Sequence, residues 1–243
     1  MRFTATTTPD TTTFSFDISA KGKFLVDWGD GSDVQVITRT STSSETYSHK
    51  YTTAGEYQIK IDGKATGYGS NAAISFYQNQ NLAKIDGSLG QIFSTLSDGT
   101  QPQFGSTWNW CGTFENCTKL TGEIPENLFA GIKGAPAEYM FYYTFNSCTN
   151  IKSIPAGLFS GIKDDPAEGM FYGTFLLVEK VSKMKIFLLN VLIVKKEDEK
   201  EPHLGLEYAV YETDWKEWLD ERIEWDIRPM HTELKLINKK LGI

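Results

Sequence analysis

Thr113–Tyr143 reads TFENCTKLTGEIPENLFAGIKGAPAEYMFYY, and Thr144–Gly173 reads TFNSCTNIKSIPAGLFSGIKDDPAEGMFYG. With one gap at Glu123, 17 of 30 aligned positions are identical. A third copy opens at Thr174-Phe175 and then stops matching. Self-similarity at a period of roughly 30 residues marks a stacked, solenoid-like array. Such an array offers a surface for binding rather than a pocket for chemistry.

Within each unit the apolar positions recur. Leu120, Ile124, Leu128, Phe129 and Ile132 match Ile151, Ile154, Leu158, Phe159 and Ile162. One unit alone cannot bury this set, and about three are needed. A degenerate unit lies upstream, where Asn81-Leu82, Ile85, Leu89 and Ile92-Phe93 keep the same order. A long loop then leads to Asn109-Trp110-Cys111-Gly112-Thr113-Phe114, which aligns with Met140–Phe145 and Met170–Phe175. The pairs Ile124-Pro125 and Ile154-Pro155 should each end a short strand, because proline cannot donate to a ladder. The Pro-Ala-Glu triplets at 136–138 and 166–168 are expected to open a helical turn, with proline at its first position. Phe114 and Phe145, being equivalent, should be buried one above the other.

These units resemble the leucine-rich repeats of BspA-like bacterial surface proteins. The resemblance rests on TFxxCTxL…IPxxLF at 113–129 and its second copy at 144–159, and it spans about 81–175. It implies a secreted or surface-attached protein of adhesive or unknown role, with no catalysis owed to the repeat.

Upstream, Phe24-Leu-Val-Asp-Trp-Gly-Asp-Gly-Ser32 reads as a strand followed by a tight Asp-Gly turn. Ser48–Ile61 reads as a turn followed by a strand, with Tyr57, Ile59 and Ile61 alternating with polar residues. Thr13–Ile18 alternates as well. Gly63–Gly69 holds three glycines and fits a linker. The pair DWGDG (Asp27, Trp28, Gly29, Asp30, Gly31) and HxYxxxGxY (His49, Tyr51, Gly55, Tyr57) looks like a PKD domain, a small immunoglobulin-like β-sandwich. The expected architecture is therefore mainly β. A PKD-like sandwich at 1–68 is followed by a leucine-rich-repeat solenoid at 75–180 and an α+β tail or cap at 181–243.

Composition agrees. The net charge of −7 leaves no basic footprint for nucleic acid. Thirteen threonines in the first 60 residues favour strands. Met1-Arg-Phe-Thr-Ala-Thr lacks the apolar run of a secretory signal. The tail differs: the last 68 residues hold 26 charged residues against 29 in the first 175. Its apolar run at 186–194 is too short to span a bilayer and reads as a strand. Trp215, Trp218, Leu219 and Ile223 follow helical spacing. The tail is expected either to cap the stack or to stand as a separate domain.

Chemistry-bearing patterns are sparse. His49, His203 and His231 sit in no metal spacing. Asp27, Asp30 and Asp33 cluster in one turn without the alternation of a calcium loop. His49 is expected to make a turn hydrogen bond. Cys117 and Cys148 occupy equivalent places. Stacking at about 4.8 Å would bring them within disulfide range, yet small thiols also fill repeated core positions without bonding. Cys111 is left over in either case. Tyr142, Tyr143 and Tyr172 are the candidate ligand-contacting residues, expected to be partly exposed. No catalytic, metal or cofactor group is expected. The functional expectation is a non-enzymatic, extracellular or cell-surface adhesion protein that meets protein or glycan. The alternatives are a phage structural or receptor-binding protein, or an enzyme or toxin activity carried by the tail.

Overall fold

The computed structural model describes residues 2–106, 111–155, 157–162, 167–176 and 178. The expectations for 181–243, both the strand at 186–194 and the helical face around Trp215, lie outside the described residues.

The chain is mainly β, and no helix occurs among the described residues. Ten strands follow in order: β1 (Phe3–Thr7), β2 (Thr11–Ile18), β3 (Lys21–Asp27), β4 (Gln35–Arg39), β5 (Glu45–Gly55), β6 (Gln58–Gly67), β7 (Ile74–Ser75), β8 (Leu82–Gly87), β9 (Gly122–Glu123) and β10 (Ile151–Ser153). One sheet has the order β4-β3-β6-β1-β8 and a second the order β5-β2-β7. Every pairing within these two sheets is antiparallel, an arrangement that fits a β-sandwich. β1 shows why the sequence folds so: Phe3, Ala5 and Thr7 are buried while Thr4 and Thr6 are half-buried, the period of a strand with one covered face. Phe16 of β2 packs on Trp28 at 5.7 Å and on Phe76 at 5.6 Å. Phe76 also meets Phe3 of the other sheet at 5.9 Å, so one ring fills the space between the layers.

Three local expectations are corrected. β3 and β4 are joined by the loop Trp28–Val34 rather than by a two-residue turn, although Gly31 does take positive φ, at 82°. The turn expected at the start of Ser48–Ile61 belongs instead to β5, where Ser48, His49 and Lys50 pair with Ser15, Phe14 and Thr13, and Gly55 pairs with Thr11 beyond a shift in register. Gly63 and Gly67 lie inside β6 and pair with Phe24 and Lys21. The apolar alternation that marks a strand is invisible there, because those positions carry no side chain.

The repeats stack. Phe76, Phe114, Phe145 and Phe175 form a column of near-parallel rings at 5.5, 5.2 and 5.5 Å. Phe104, Phe141 and Phe171 form a second column, each step 5.7 Å. Phe104, from the long loop, thus heads this column; Asn109 and Trp110, aligned with Met140 and Phe141 in the sequence, lie outside the described residues. The Thr-Phe-x-x-Cys motif has a physical basis. The hydroxyls of Thr113, Thr144 and Thr174 donate to the carbonyls of Ile74, Phe104 and Phe141. The thiols of Cys117 and Cys148 donate to the carbonyls of Phe76 and Phe114, at 3.0 and 2.9 Å. Both cysteines are free thiols, buried rather than bridged. Burial pushes the Cys117 thiol up to about 12 and Cys148 well above its ordinary value.

Between Ala137 and Cys148 the backbone hydrogen bonds alternate. The N–H groups of Met140, Tyr142, Thr144, Asn146 and Cys148 each bond three residues back. Those of Tyr139, Phe141, Tyr143, Phe145 and Ser147 donate instead to Glu168, Met170, Tyr172, Thr174 and Leu176 of the next unit. Tyr139, Tyr143 and Ser147 take positive φ, one residue in four. An α-helix cannot form on such a backbone, which corrects the helical turn expected after Pro136. Strands β9 and β10 pair in parallel and end just before Ile124-Pro125 and Ile154-Pro155.

Sandwich and stack share one uninterrupted core. β8, which opens the degenerate unit, is the edge strand beside β1, and Phe24 stacks on Phe93 at 5.5 Å. A single apolar cluster runs from Phe3 through Trp28 to Ile154 and Val178. The sequence boundary between 68 and 75 is thus not a gap in packing. No helix among the described residues is long and apolar enough to cross a membrane.

Candidate functional site

The two best repeat copies differ where their rungs meet. Tyr139 aligns with Gly169, and Tyr143 with Gly173. A Cβ at Gly169 would stand 2.2 Å from the Tyr139 ring, and one at Gly173 would stand 1.8 Å from the Tyr143 ring. Each tyrosine therefore lies over bare backbone of the following unit. Gly173 has φ 62° and Tyr143 φ 51°, so the same turn geometry is kept by glycine in one rung and by tyrosine in the other. A non-glycine residue in this region carries a cost of order 1 kcal/mol, and the repeated turn imposes it here.

Around these pairs the tyrosines gather. Tyr142 stacks on Tyr172 at 5.3 Å and 12°, and it meets Tyr143 at 4.4 Å. Tyr143 lies 5.8 Å from Tyr172, and Tyr139 lies 6.0 Å from Tyr142. Tyr143 and Tyr172 are half-buried, as expected. Tyr142, expected to be partly exposed, is only 3% exposed and lies beneath the other rings. Burial also pushes the Tyr142 phenol above its ordinary range. The Tyr139 hydroxyl donates to Glu168 Oε1 at 3.1 Å, and that carboxylate raises the phenol's pKa. The result is a ribbon of rings with fixed orientations, suited to stacking and phenolic hydrogen bonds. Tyr139 was missed from sequence. The signal that could have found it is the paired Tyr-to-Gly exchange at two aligned positions.

Glu115 was missed too. Its carboxylate is buried, accepting from the Gly112 N–H and from Asn146 Nδ2, both at 3.0 Å. Burial raises its pKa despite these bonds. It ties the end of the long loop to the next rung.

The sandwich motif residues gather elsewhere. His49 Nε2 lies 2.7 Å from Asp30 Oδ2, and the imidazole stacks on Trp28 at 5.1 Å. Asp30 Oδ1 also accepts from the N–H and hydroxyl of Ser32. The Ser32 hydroxyl, then His49, lowers the Asp30 pKa to about 2. Asp27 Oδ1 accepts the Gly29 N–H at 3.0 Å. The Tyr51 hydroxyl donates to the Trp28 carbonyl at 3.0 Å, and its ring stacks on Tyr57 beside Gly55. The Trp28 indole N–H donates to Gln35 Oε1 at 3.0 Å. The two motif halves therefore hold each other. Among the described residues no group of three or more His, Cys, Asp or Glu is placed to hold a metal ion.

Comparison with protein families, curated proteins and solved structures finds no match to this chain.

Proposed function

We propose that this chain is a non-enzymatic adhesion or binding protein of an extracellular or cell-surface setting. In this reading a PKD-like sandwich carries a BspA-like leucine-rich-repeat solenoid, and the solenoid meets a protein or glycan ligand. The observation that carries the reading is the tyrosine face, with Tyr143 and Tyr172 half-buried over the buried Tyr142. Tyrosine supplies large contact area at little entropic cost and is enriched where proteins bind. Its rings are held here by the neighbouring rung, so little ordering is lost on binding. The interlocked Asp27–Gly31 and His49–Tyr57 motifs support the PKD-like reading, and parallel β9–β10 pairing between units supports the solenoid.

The test is binding of the full chain to a glycan array and to bacterial and epithelial cells, beside Tyr143→Ala and Tyr172→Ala variants. The expected outcome is retention of at least one ligand class, weakened about tenfold or more by either variant while each variant remains fully folded at the assay temperature by circular dichroism. Equal binding by both variants would remove the tyrosine face from the function. Absence of any ligand across arrays and cells would overturn the reading.

A further inference from the structure

β2 bonds its neighbour β7 only at Asp17 and Ile18. The rest of that edge is covered by side chains, not by a strand. Asn79 Nδ2 donates to the Ser15 carbonyl at 2.8 Å, and Asn81 Nδ2 donates to the Thr13 carbonyl at 2.9 Å. Between the edge and this amide-rich segment runs a groove of about 270 Å³. Tyr77 stands in its wall at 40% exposure, one of three large apolar side chains so exposed among the described residues.

The wall is pre-set. Asn79 Oδ1 accepts the Asn81 N–H at 2.9 Å, Gln80 Nε2 donates to the Asn116 carbonyl at 2.7 Å, and Gln78 Nε2 donates to the Tyr77 hydroxyl at 2.8 Å. Its chemistry is hydroxyl, amide and ring, with Asp17 the lone charge. With no lysine or arginine in the lining, an anionic ligand would find no countercharge. One carboxylate alone is no cation site. What fits is an uncharged molecule with an apolar ring face and many hydroxyls.

We infer that this groove is a subsite for a neutral saccharide, which stacks a sugar face on Tyr77 and shares its hydroxyls with the amides and Asp17. It deepens the binding reading by requiring a glycan among the ligands, and it uses no residue of the tyrosine face. The rigid amides lower the ordering cost of binding.

The experiment titrates the full chain with malto-, cello-, manno- and N-acetylchito-oligosaccharides by calorimetry. It includes Tyr77→Ala, Ser15→Trp (which fills the groove from the opposite wall) and, as a control on neither face, Lys23→Ala on the exposed side of β3, each checked by thermal melting. The expected result is binding of one of these series, weakened about tenfold or more by Tyr77→Ala and by Ser15→Trp, and unchanged by Lys23→Ala. Saccharide binding at full strength in both Tyr77→Ala and Ser15→Trp would overturn the groove and leave the tyrosine face as the remaining glycan contact. No binding of any neutral oligosaccharide by the unaltered chain would overturn the groove and leave the tyrosine face to its protein and cell assays.

Discussion

Phe145→Ala probes the stack at its centre. Phe145 is fully buried, with Phe114 above it at 5.2 Å and Phe175 below it at 5.5 Å. An emptied phenylalanine site costs about 3–5 kcal/mol in general. Two features push this site to the upper part of that range. Two stacked pairs vanish together, each contributing about 0.5–1.5 kcal/mol beyond burial. The cavity also resists collapse, because Phe114 N–H→Thr144 and Phe145 N–H→Thr174 bonds of 2.8 Å hold the rungs on either side. The expected loss is therefore about 4–5 kcal/mol, a large share of a typical total of about 5–15 kcal/mol. Phe145→Leu keeps much of the volume and should lose about 1.5 kcal/mol. Guanidinium unfolding of the full chain, followed by far-UV circular dichroism, measures both losses as shifts in midpoint at constant slope. A Phe145→Ala loss below about 1 kcal/mol would mean that the ring is not clamped between its neighbours, and the stacked register would be wrong.

Two glycines should respond differently to alanine. Gly31 has φ 82° and open space around it, so Gly31→Ala should cost about 1–2 kcal/mol from backbone conformation alone. Gly173→Ala adds a clash with the Tyr143 ring and should cost more, and Tyr143→Ala should partly rescue it; additive losses in the double-mutant cycle would refute the ring-over-glycine packing. Asp30 gives a pH dependence. Its folded pKa of about 2 lies below the ordinary 3.8, so the folded carboxyl binds its proton more weakly than the unfolded chain does. Its stabilisation is full above about pH 3.8 and is lost as pH falls through about 2. Asp30→Asn should flatten acid unfolding in that window, and an unchanged profile would show that the Ser32 and His49 bonds do not hold the loop.

The repeat was legible because side-chain identity recurs at fixed spacing, and Thr113/Thr144/Thr174 and Phe114/Phe145/Phe175 occupy equivalent rungs. Prolines 125 and 155 marked strand ends for the simple reason that they lack an N–H. Other elements were hidden by the kind of force that shapes them. The four-residue turn pattern of 139–147 depends on lateral backbone bonds to the next unit, which leave no apolar periodicity. Strand residues 63–67 carry two glycines and a single buried alanine, so their pairing is a backbone property. Phe104 sits in a loop of unusual length, outside the spacing of the repeat. At the site, Tyr143 and Tyr172 were visible as aromatics. The burial of Tyr142 follows from ring-on-ring stacking across units, which no single copy encodes. The groove at Tyr77 joins β2 to a segment some sixty residues away, a juxtaposition that no local pattern records.

The lateral bonds of the two phenylalanine columns share one sense. Phe76 N–H points to Thr113, Phe114 N–H to Thr144, and Phe145 N–H to Thr174, while Phe104 points to Met140 and Phe141 to Met170. In an ordinary sheet neighbouring strand dipoles alternate and nearly cancel. Here they run head to tail along the stacking axis, as peptide units do in an α-helix. The array is thus electrically polar. Its acceptor side faces the sandwich, where Ser19 N–H meets the Ala73 carbonyl, and its positive side faces the later repeats. A layer added beyond Leu176 in the same manner must offer carbonyls, so the two ends of the stack are not interchangeable, and anionic groups are favoured at the later one.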